Sequence, residues 1–340
     1  MKTNKIIALL ATLTLGVSVF SGCGTTETTT ESTNETTSVE ESADKISVVT
    51  TIFPEYDWVK EIVGDNDNVE ITMLLDNGVD LHNYQPTAED IMKIATCDVF
   101  VYVGGESDEW VEDALSEATN EDMQVVNLLE SLGESVKEEE VVEGMMAEEE
   151  EEEAEEGEEE EVEYDEHVWL SLKNAQVLVN SIEQAIEAVD SANADTYAAN
   201  AKAYTDELAA LDERYQTTID AAATKTVLFG DRFPFRYLVD DYGLDYYAAF
   251  VGCSAETEAS FETITFLAGK VDELGLNTVF TIENSDQKIA KTIIENTQAK
   301  DAQILTLDSL QSTTSEDVAK GVTYLSKMED NLDILSKGLN

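Results

Sequence analysis

Residues 164–170 read Tyr-Asp-Glu-His-Val-Trp-Leu, and they close an acidic run that begins at Glu138. Nineteen of the 29 residues from Glu138 to Glu166 are Asp or Glu. Carboxylates at this density repel one another and little apolar surface is available to bury, so we expect a solvated loop. A solubilising linker is one interpretation. The run nevertheless ends at His167, one of two histidines in the chain, where an ordered apolar segment begins.

The composition of the whole chain limits its possible partners. A length of 340 residues with 42% hydrophobic residues allows a sizeable core and suggests two domains. Removing the 19 carboxylates of the run from the formal charge of −55 still leaves −36. This charge argues against nucleic acid as a partner and indicates that the folded part attracts cations.

The N-terminus has the pattern of a secretory signal peptide over residues 1–22. Two lysines precede the apolar segment Ile6–Phe20, and Ser-Gly stands directly before Cys23. The small residues resemble a bacterial lipobox, although Phe20 stands where Leu is usual. We therefore expect a mature chain that begins at a diacylated Cys23 on the outer face of the cytoplasmic membrane. The apolar segment is too short to span a membrane, which takes about 20 residues.

Residues 23–44 are Thr, Ser and Glu almost throughout, which predicts a flexible tether between the lipid and the folded part.

The first half of the folded part, residues 45–189, shows alternating strand and helix signals. The predicted strands are Ile46–Thr51, Val69–Leu75, Asp98–Val103 and Gln124–Leu128. Helices between them predict a parallel sheet with crossover connections. His82 lies in a turn-rich loop after the second strand, and Thr87 with Asp90 forms a helix capping box directly after it. Loops at the carboxyl ends of parallel strands are where such sheets bind ligands.

A long helix and a second α/β pattern follow. We predict a linking helix within residues 190–224, because Asp195 to about Ala223 lacks Gly and Pro. Residues 225–340 should form a second lobe with strands at Thr226–Phe229, Tyr246–Val251, Thr278–Ile282 and Gln303–Leu307. Polar side chains follow these strands as candidate site residues: Asp231, Arg232, Cys253, Glu256, Glu283 and Asp308.

The two cysteines of the folded part, Cys97 and Cys253, allow a disulfide in an exported protein. They fall in different halves of the chain, at opposite ends of the nearby strands. We therefore expect two separate thiols.

The chain resembles the zinc and manganese substrate-binding lipoproteins of ABC transporters, the cluster A-I group that includes high-affinity zinc-uptake proteins. The resemblance covers nearly everything after residue 45, and its two histidine motifs are specific. The matching stretches are Thr51–Pro54, Gly78–Pro86, Gly104–Trp110, Asp165–Leu170, Asp241–Leu244 and Leu305–Leu310. In zinc-specific members a His-rich acidic loop stands where this chain has Glu138–Glu166.

The resemblance implies two α/β lobes, each with a parallel sheet flanked by helices, joined by one long helix, with a divalent ion in the interlobe cleft. His82 and His167 match the first two metal ligands of the family, and Asp308 matches its carboxylate ligand. The third position carries Arg232, which cannot ligate a cation. Either Glu283 or water would then complete the shell, and Arg232, next to Asp231, would line the site.

The expected function is delivery of a captured divalent metal to an ABC permease. Imidazole with carboxylate suits Zn²⁺ and also Mn²⁺; we place Zn²⁺ first because of the position of the acidic loop. Two other classes remain open. A metal-dependent hydrolase would need an open coordination position and a base, and no HExxH motif is present. A surface adhesin is compatible with metal binding, but no sequence feature favours it.

Overall fold

The computed structural model describes residues 45–146, 163–254 and 258–340. The predicted signal peptide, Cys23 and the tether lie outside the described residues, as does Glu256.

The first lobe is built on a parallel sheet with the strand order β2-β1-β3-β4. Its strands are β1 Ile46–Thr50, β2 Val69–Met73, β3 Val99–Tyr102 and β4 Gln124–Asn127. Its helices are α1 Phe53–Val63, α2 Ala88–Thr96, α3 Trp110–Ser116, α4 Leu128–Leu132 and α5 Leu172–Val189. The four strands overlap the four predicted ones, and their pairing confirms the predicted parallel sheet.

The second lobe repeats this plan with the strand order β6-β5-β7-β8, again all parallel. Its strands are β5 Thr226–Phe233, β6 Asp245–Val251, β7 Thr278–Ile282 and β8 Gln303–Leu307. The remaining helices are α6 Ala194–Asp220, α7 Arg236–Tyr242, α8 Phe261–Leu274, α9 Lys288–Asn296, α10 Ser315–Ala319 and α11 Tyr324–Gly338.

Local sequence signals set the helix ends of the first lobe. The α1 helix ends at Gly64, which has φ 56° and donates its N–H to the carbonyl of Lys60. The α2 helix begins with the predicted capping box: Thr87 accepts from the backbone of Asp90, and Asp90 accepts from the backbone of Thr87. The loop that carries His82 is therefore held at its C-terminal end by a defined helix start.

The long helix α6 joins the two lobes. Its 27 residues correspond to roughly 40 Å at 1.5 Å per residue. Asn200 donates to the carbonyl of Ile62 in α1 at 3.0 Å, while Tyr215 donates to the carbonyl of Met328 in α11 at 2.6 Å. One rigid helix thus bonds to an element of each lobe.

A buried turn after His167 also connects the lobes. Trp169 is fully buried, and its indole N–H donates to the backbone carbonyl of Ser309, beyond β8, at 2.9 Å. The hydroxyl of Tyr324, the first residue of α11, donates to the carbonyl of Trp169 at 2.6 Å. The backbone N–H of Tyr324 in turn donates to Asp57 in α1 at 2.7 Å. These bonds secure the chain directly behind His167 to both lobes.

The boundary predicted for β5 was wrong. Asp231 and Arg232 were expected in a loop after Phe229, but the strand continues to Phe233. The register with β6 shifts between Phe229 and Arg232, and Arg232 then pairs with Phe250. Pairing across this bulge outweighs the turn-like composition of the segment.

The acidic run is paired through its backbone at both ends. Glu138, Glu140, Glu163 and Tyr164 are exposed, as a solvated loop predicts, whereas Asp165 and Glu166 are buried. Glu138 and Tyr164 form an antiparallel bridge, and the N–H of Glu139 donates to the carbonyl of Glu163 at 3.0 Å. The N–H of Met146 donates to Ala249 in the edge strand β6 at 3.0 Å. Backbone pairing therefore fixes the two ends of the run to each other and to the second lobe, while residues 147–162 lie outside the described residues.

Within the ranges that the structure describes, no helix is both long enough and apolar enough to cross a membrane.

Replacing Trp169 with Phe should destabilise the protein more than replacing Trp58 with Phe. Both indoles are fully buried, but the Nε1 of Trp58 has no hydrogen-bond partner among the described residues. Both variants lose the same side-chain volume. The additional loss of unfolding free energy in Trp169→Phe therefore reports the hydrogen bond from Trp169 to Ser309, and it should be about 1–3 kcal/mol. Chemical denaturation measures it. Equal losses of unfolding free energy would contradict the role given to Trp169.

Candidate metal site

His82 is positioned by the turn that follows β2. It lies in a 3-10 turn, Leu81–Asn83, whose first N–H groups are capped by Asp80: the Asp80 carboxylate accepts from the backbone N–H of His82 at 3.2 Å. The imidazole Nδ1 lies 2.6 Å from the hydroxyl of Ser107 and 3.5 Å from the carboxylate of Glu166. Only 8% of the side chain is exposed. Both the backbone and one ring nitrogen of His82 are thereby held in place.

His167 is positioned by the residue two places before it. One oxygen of Asp165 accepts from the backbone N–H of His167 at 2.9 Å and lies 3.0 Å from its Nδ1. Asp165 is itself held, because its N–H donates to Lys137 and its carbonyl accepts from the hydroxyl of Tyr237. An ionised carboxylate can only accept, so it directs the proton of a neutral His167 to Nδ1. The free lone pair of the ring is then at Nε2.

The two imidazoles meet at these free nitrogens. The Nε2 atoms of His82 and His167 are 3.2 Å apart, and the rings are tilted by 54° with centroids 5.1 Å apart. Each Nδ1 has a separate polar partner, which is the arrangement found around metal-ligating histidines. The sequence prediction that these two residues lie together is therefore in agreement with the geometry.

Burial keeps His82 uncharged. Desolvation, with a smaller contribution from His167, lowers the pKa of His82 from its ordinary value to about 3. The neutral imidazole is the form that binds a metal. The hydroxyl of Ser107 can hydrogen-bond to either tautomer of His82, because it can donate to Nδ1 or accept from it.

Cys253 joins the histidine pair. Its Sγ and one nitrogen of each ring all lie within 4.8 Å of one another. Burial, with the nearby carboxylates of Glu166, Asp165 and Glu139, raises the pKa of the Cys253 thiol, whereas a hydrogen bond from the Glu166 backbone lowers it. Both folded-part cysteines are free of disulfides, as predicted. The sequence placed Cys253 at the end of a strand, but its spacing from the histidines carried no sign that they would meet.

The predicted carboxylates Glu283 and Asp308 follow β7 and β8 as expected, but each has other partners. Glu283 accepts from the N–H of Ser309 at 2.7 Å and from its hydroxyl at 2.6 Å. Asp308 forms an ion pair with Lys327 in α11 and accepts from the N–H of Leu310 at 2.8 Å. Among the described residues, neither carboxylate belongs to the group of donors around the histidine pair.

Arg232 faces the histidine loop across a cleft between the lobes. Its guanidinium forms an ion pair with Asp80, two residues before His82. The cleft has a volume of about 400 Å³ and is lined by Asp80 and Asn83 from the first lobe. Its second wall consists of residues 230–232, Phe250, Ser254, residues 282–286 and Ile289, which include Asp231 and Glu283. Arg232 therefore lines the cleft and pairs with one of its carboxylates, Asp80.

Buried carboxylates continue behind the histidines. Glu166 accepts from the N–H of Ser107 at 2.8 Å, and a side chain at Gly105, whose φ is 84°, would collide with this carboxylate. Asp108 accepts from the N–H of Gly104 at 3.0 Å. Burial, with a smaller contribution from Glu166, raises the pKa of Asp108 from 3.8 to about 7. This region concentrates buried acidic groups.

The fold describes a two-lobed α/β binding protein, and the histidine pair is its candidate cation site. The family model for the zinc-uptake complex component A, periplasmic, matches residues 48–338. The chain belongs to this family.

Named relatives agree with this assignment. The zinc-binding lipoprotein AdcA of Streptococcus pneumoniae serotype 4 is 34% identical over 88% of this chain and 57% of its own length. The chain thus spans little more than half of that relative. The high-affinity zinc uptake system protein ZnuA of Bacillus subtilis is 33% identical over 89% of this chain and 90% of its own length.

Two solved structures share the fold. The Zn(II)-bound ZnuA-like domain of Streptococcus pneumoniae AdcA aligns with a TM-score of 0.66 and 28% identity, over 87% of this chain and 99% of that one. The metal-dependent lipoprotein YcdH of Bacillus subtilis aligns with a TM-score of 0.69 and 29% identity, over the same shares. These alignments confirm the two-lobed architecture predicted from the sequence.

Replacing Asp108 with Asn should make the protein less sensitive to rising pH. Between about pH 4 and pH 7 folded wild type keeps a proton that the unfolded chain has released, so its stability falls as pH rises through this window. The variant lacks this proton. As pH rises through this window, the unfolding free energy of the variant minus that of wild type should therefore increase by up to about 1.4 kcal/mol per pH unit. The difference should level off above pH 7. Denaturation at pH 5 and pH 8 measures this; an unchanged difference would contradict the burial effect.

Proposed function

We propose that this chain is an extracytoplasmic solute-binding protein that captures a divalent cation, Zn²⁺, and delivers it to an ABC permease. The observation that carries the proposal is the 3.2 Å approach of the Nε2 atoms of His82 and His167, with each Nδ1 tied to another group. Two imidazole nitrogens that approach this closely are a preformed donor set for a borderline metal ion.

Zinc is preferred over manganese on two grounds. Imidazole nitrogen suits Zn²⁺, whereas Mn²⁺ favours carboxylate, carbonyl and water oxygens. The carboxylates Glu283 and Asp308 already have protein partners, so nitrogen donors dominate where the histidines meet. The relatives support the same choice, since AdcA is named zinc-binding and ZnuA belongs to a zinc uptake system. Manganese is the alternative cargo.

The second lobe would complete the metal shell. Of the two predicted carboxylates, Glu283 lines the interlobe cleft together with Arg232 and Asp80, whereas Asp308 is paired with Lys327. Glu283 is therefore our first choice for an oxygen ligand, and it would have to release Ser309. Asp308 is the second choice, and water is the third. Arg232 and Asp231 would line the site, with Arg232 limiting its negative charge.

The cellular setting is part of the proposal. A signal peptide over residues 1–22 and a diacylated Cys23 would hold the protein outside the cell membrane, close to a permease. The name lipoprotein given to AdcA supports this location. Membership in a family of metal-uptake components favours transport over the hydrolase and adhesin alternatives.

His82→Ala and His167→Ala should each remove most of the stabilisation that zinc gives the wild type. With free metal about a thousandfold above its dissociation constant, this stabilisation should be roughly 4 kcal/mol. Thermal unfolding with and without Zn²⁺ measures it. Asn83→Ala is the matched control, since Asn83 lies in the same turn and offers no ring nitrogen. If both histidine variants kept the wild-type shift, the cleft assignment would be wrong.

Cys23→Ala should leave an unprocessed precursor or release the protein into the medium, because the proposed anchor depends on that thiol. Membrane fractionation with N-terminal sequencing distinguishes these results from the wild type. A processed protein that still sediments with membranes would sink the lipoprotein assignment.

A further inference from the structure

A thiol from the second lobe lies beside the histidine pair. Cys253 comes two residues after the end of β6, whereas His82 follows β2 and His167 follows the acidic run. Three different stretches of chain therefore bring a sulfur and two ring nitrogens within 4.8 Å of one another. Among the described residues, the predicted carboxylate ligands Glu283 and Asp308 are not part of this group.

The spacing of these atoms suits a tetrahedral metal ion. Two nitrogens bound to Zn²⁺ at about 2.0–2.1 Å are about 3.3 Å apart in a tetrahedron. The two Nε2 atoms are 3.2 Å apart. A thiolate bound at about 2.3 Å would lie about 3.6 Å from each nitrogen. Sγ lies within 4.8 Å of one nitrogen of each ring, which is within about 1.2 Å of the sulfur–nitrogen spacing that a tetrahedral zinc ion requires.

A glycine allows the backbone to carry this thiol to the site. A Cβ at Gly252 would lie 2.9 Å from Cε1 and 3.1 Å from Nδ1 of His167, and 3.0 Å from the carbonyl of Phe233. Such contacts are tighter than a side chain tolerates. The bare backbone of Gly252 therefore passes against the His167 ring and delivers the next residue, Cys253, beside it.

The cationic side chain Arg232, whose charge interacts with Cys253, is ion-paired with a carboxylate of the first lobe. Arg232 lies on the neighbouring strand β5 and pairs with Phe250 of β6. Phe250 is three residues before Cys253. The guanidinium of Arg232 is turned to Asp80 in the first lobe. The end of β5 thus offers no ligand, while the end of the adjacent strand β6 offers one.

The geometry points to Cys253 as the third metal ligand, in a His₂Cys set that makes the site select Zn²⁺ over Mn²⁺. This inference rests on the proposed function, since it concerns the same cation. As the sulfur–zinc bond forms, the thiol proton leaves to solvent and no electrons are exchanged. Thiolate is a soft donor that favours Zn²⁺, whereas Mn²⁺ gains little from it. The fourth position is left to a cleft carboxylate or water.

The test uses the full chain loaded with Co²⁺ and, separately, with Zn²⁺ and Mn²⁺. Wild type with Co²⁺ should show the near-ultraviolet charge-transfer absorption of a thiolate ligand. This band should vanish in Cys253→Ala and in the near-isosteric Cys253→Ser. It should persist in Cys97→Ala, the matched control, because Cys97 is buried in the first lobe against Met123.

Metal affinities give the second measurement. Both Cys253 variants should lose zinc affinity by at least about tenfold, equivalent to about 1.4 kcal/mol, with a smaller loss for Mn²⁺. The inference is overturned if wild type binds zinc tightly, its Co²⁺ form shows no thiolate band, and the Cys253 variants keep the wild-type ratio of zinc affinity to manganese affinity. The proposed function stands in that case. If wild type binds neither metal tightly, the proposed function itself fails. The wild-type spectrum decides the matter even if a variant does not fold.

Discussion

The contact between Asp165 and His167 is the constraint on which the site depends. A single carboxylate oxygen accepts from the backbone N–H of His167 and lies 3.0 Å from its Nδ1, which leaves the ring one orientation. Nε2 is then presented to His82. The contact is secure because Asp165 is buried and its own backbone is bonded to Lys137 and Tyr237. Behind it, Trp169 is bonded to Ser309 and Tyr324. The hydrogen bonds of this buried segment between the lobes thus fix the position of Nε2 of His167.

The charge around the histidines explains why a cation is the expected occupant. Asp165 and Glu166 are buried, and they lie 3.0 Å from Nδ1 of His167 and 3.5 Å from Nδ1 of His82, respectively. Burying acidic groups without a counter-charge is costly, and a divalent ion would offset part of that cost. The nearby cations are already committed, Arg232 to Asp80 and Lys327 to Asp308. Function and stability are therefore linked through the same group of carboxylates.

Parts of the fold were readable from the sequence because local patterns there agree with the tertiary structure. The predicted limits of β7 and β8, Thr278–Ile282 and Gln303–Leu307, are the observed ones. The central strand β7 is buried at every position, and its β-branched and apolar run is visible in the sequence. Where pairing with another segment decides the outcome, the prediction was wrong. The β5 strand continues beyond Phe229 because Arg232 and Phe233 pair with Phe250 and Val251 of β6.

By itself, the sequence determined the α/β class, the excess of negative charge and the two histidines as candidate ligands, since each of these is a property of composition or of short motifs. The family resemblance had predicted that the two histidines lie together, and the tertiary structure alone decided their distance and which further donor joins them. His82 and His167 are 85 residues apart, yet their Nε2 atoms lie 3.2 Å from each other. Cys253 joins them from the other lobe, whereas Glu283 and Asp308 are held by Ser309 and Lys327. Distances of this kind arise from packing between segments remote in the chain, and no local pattern records them.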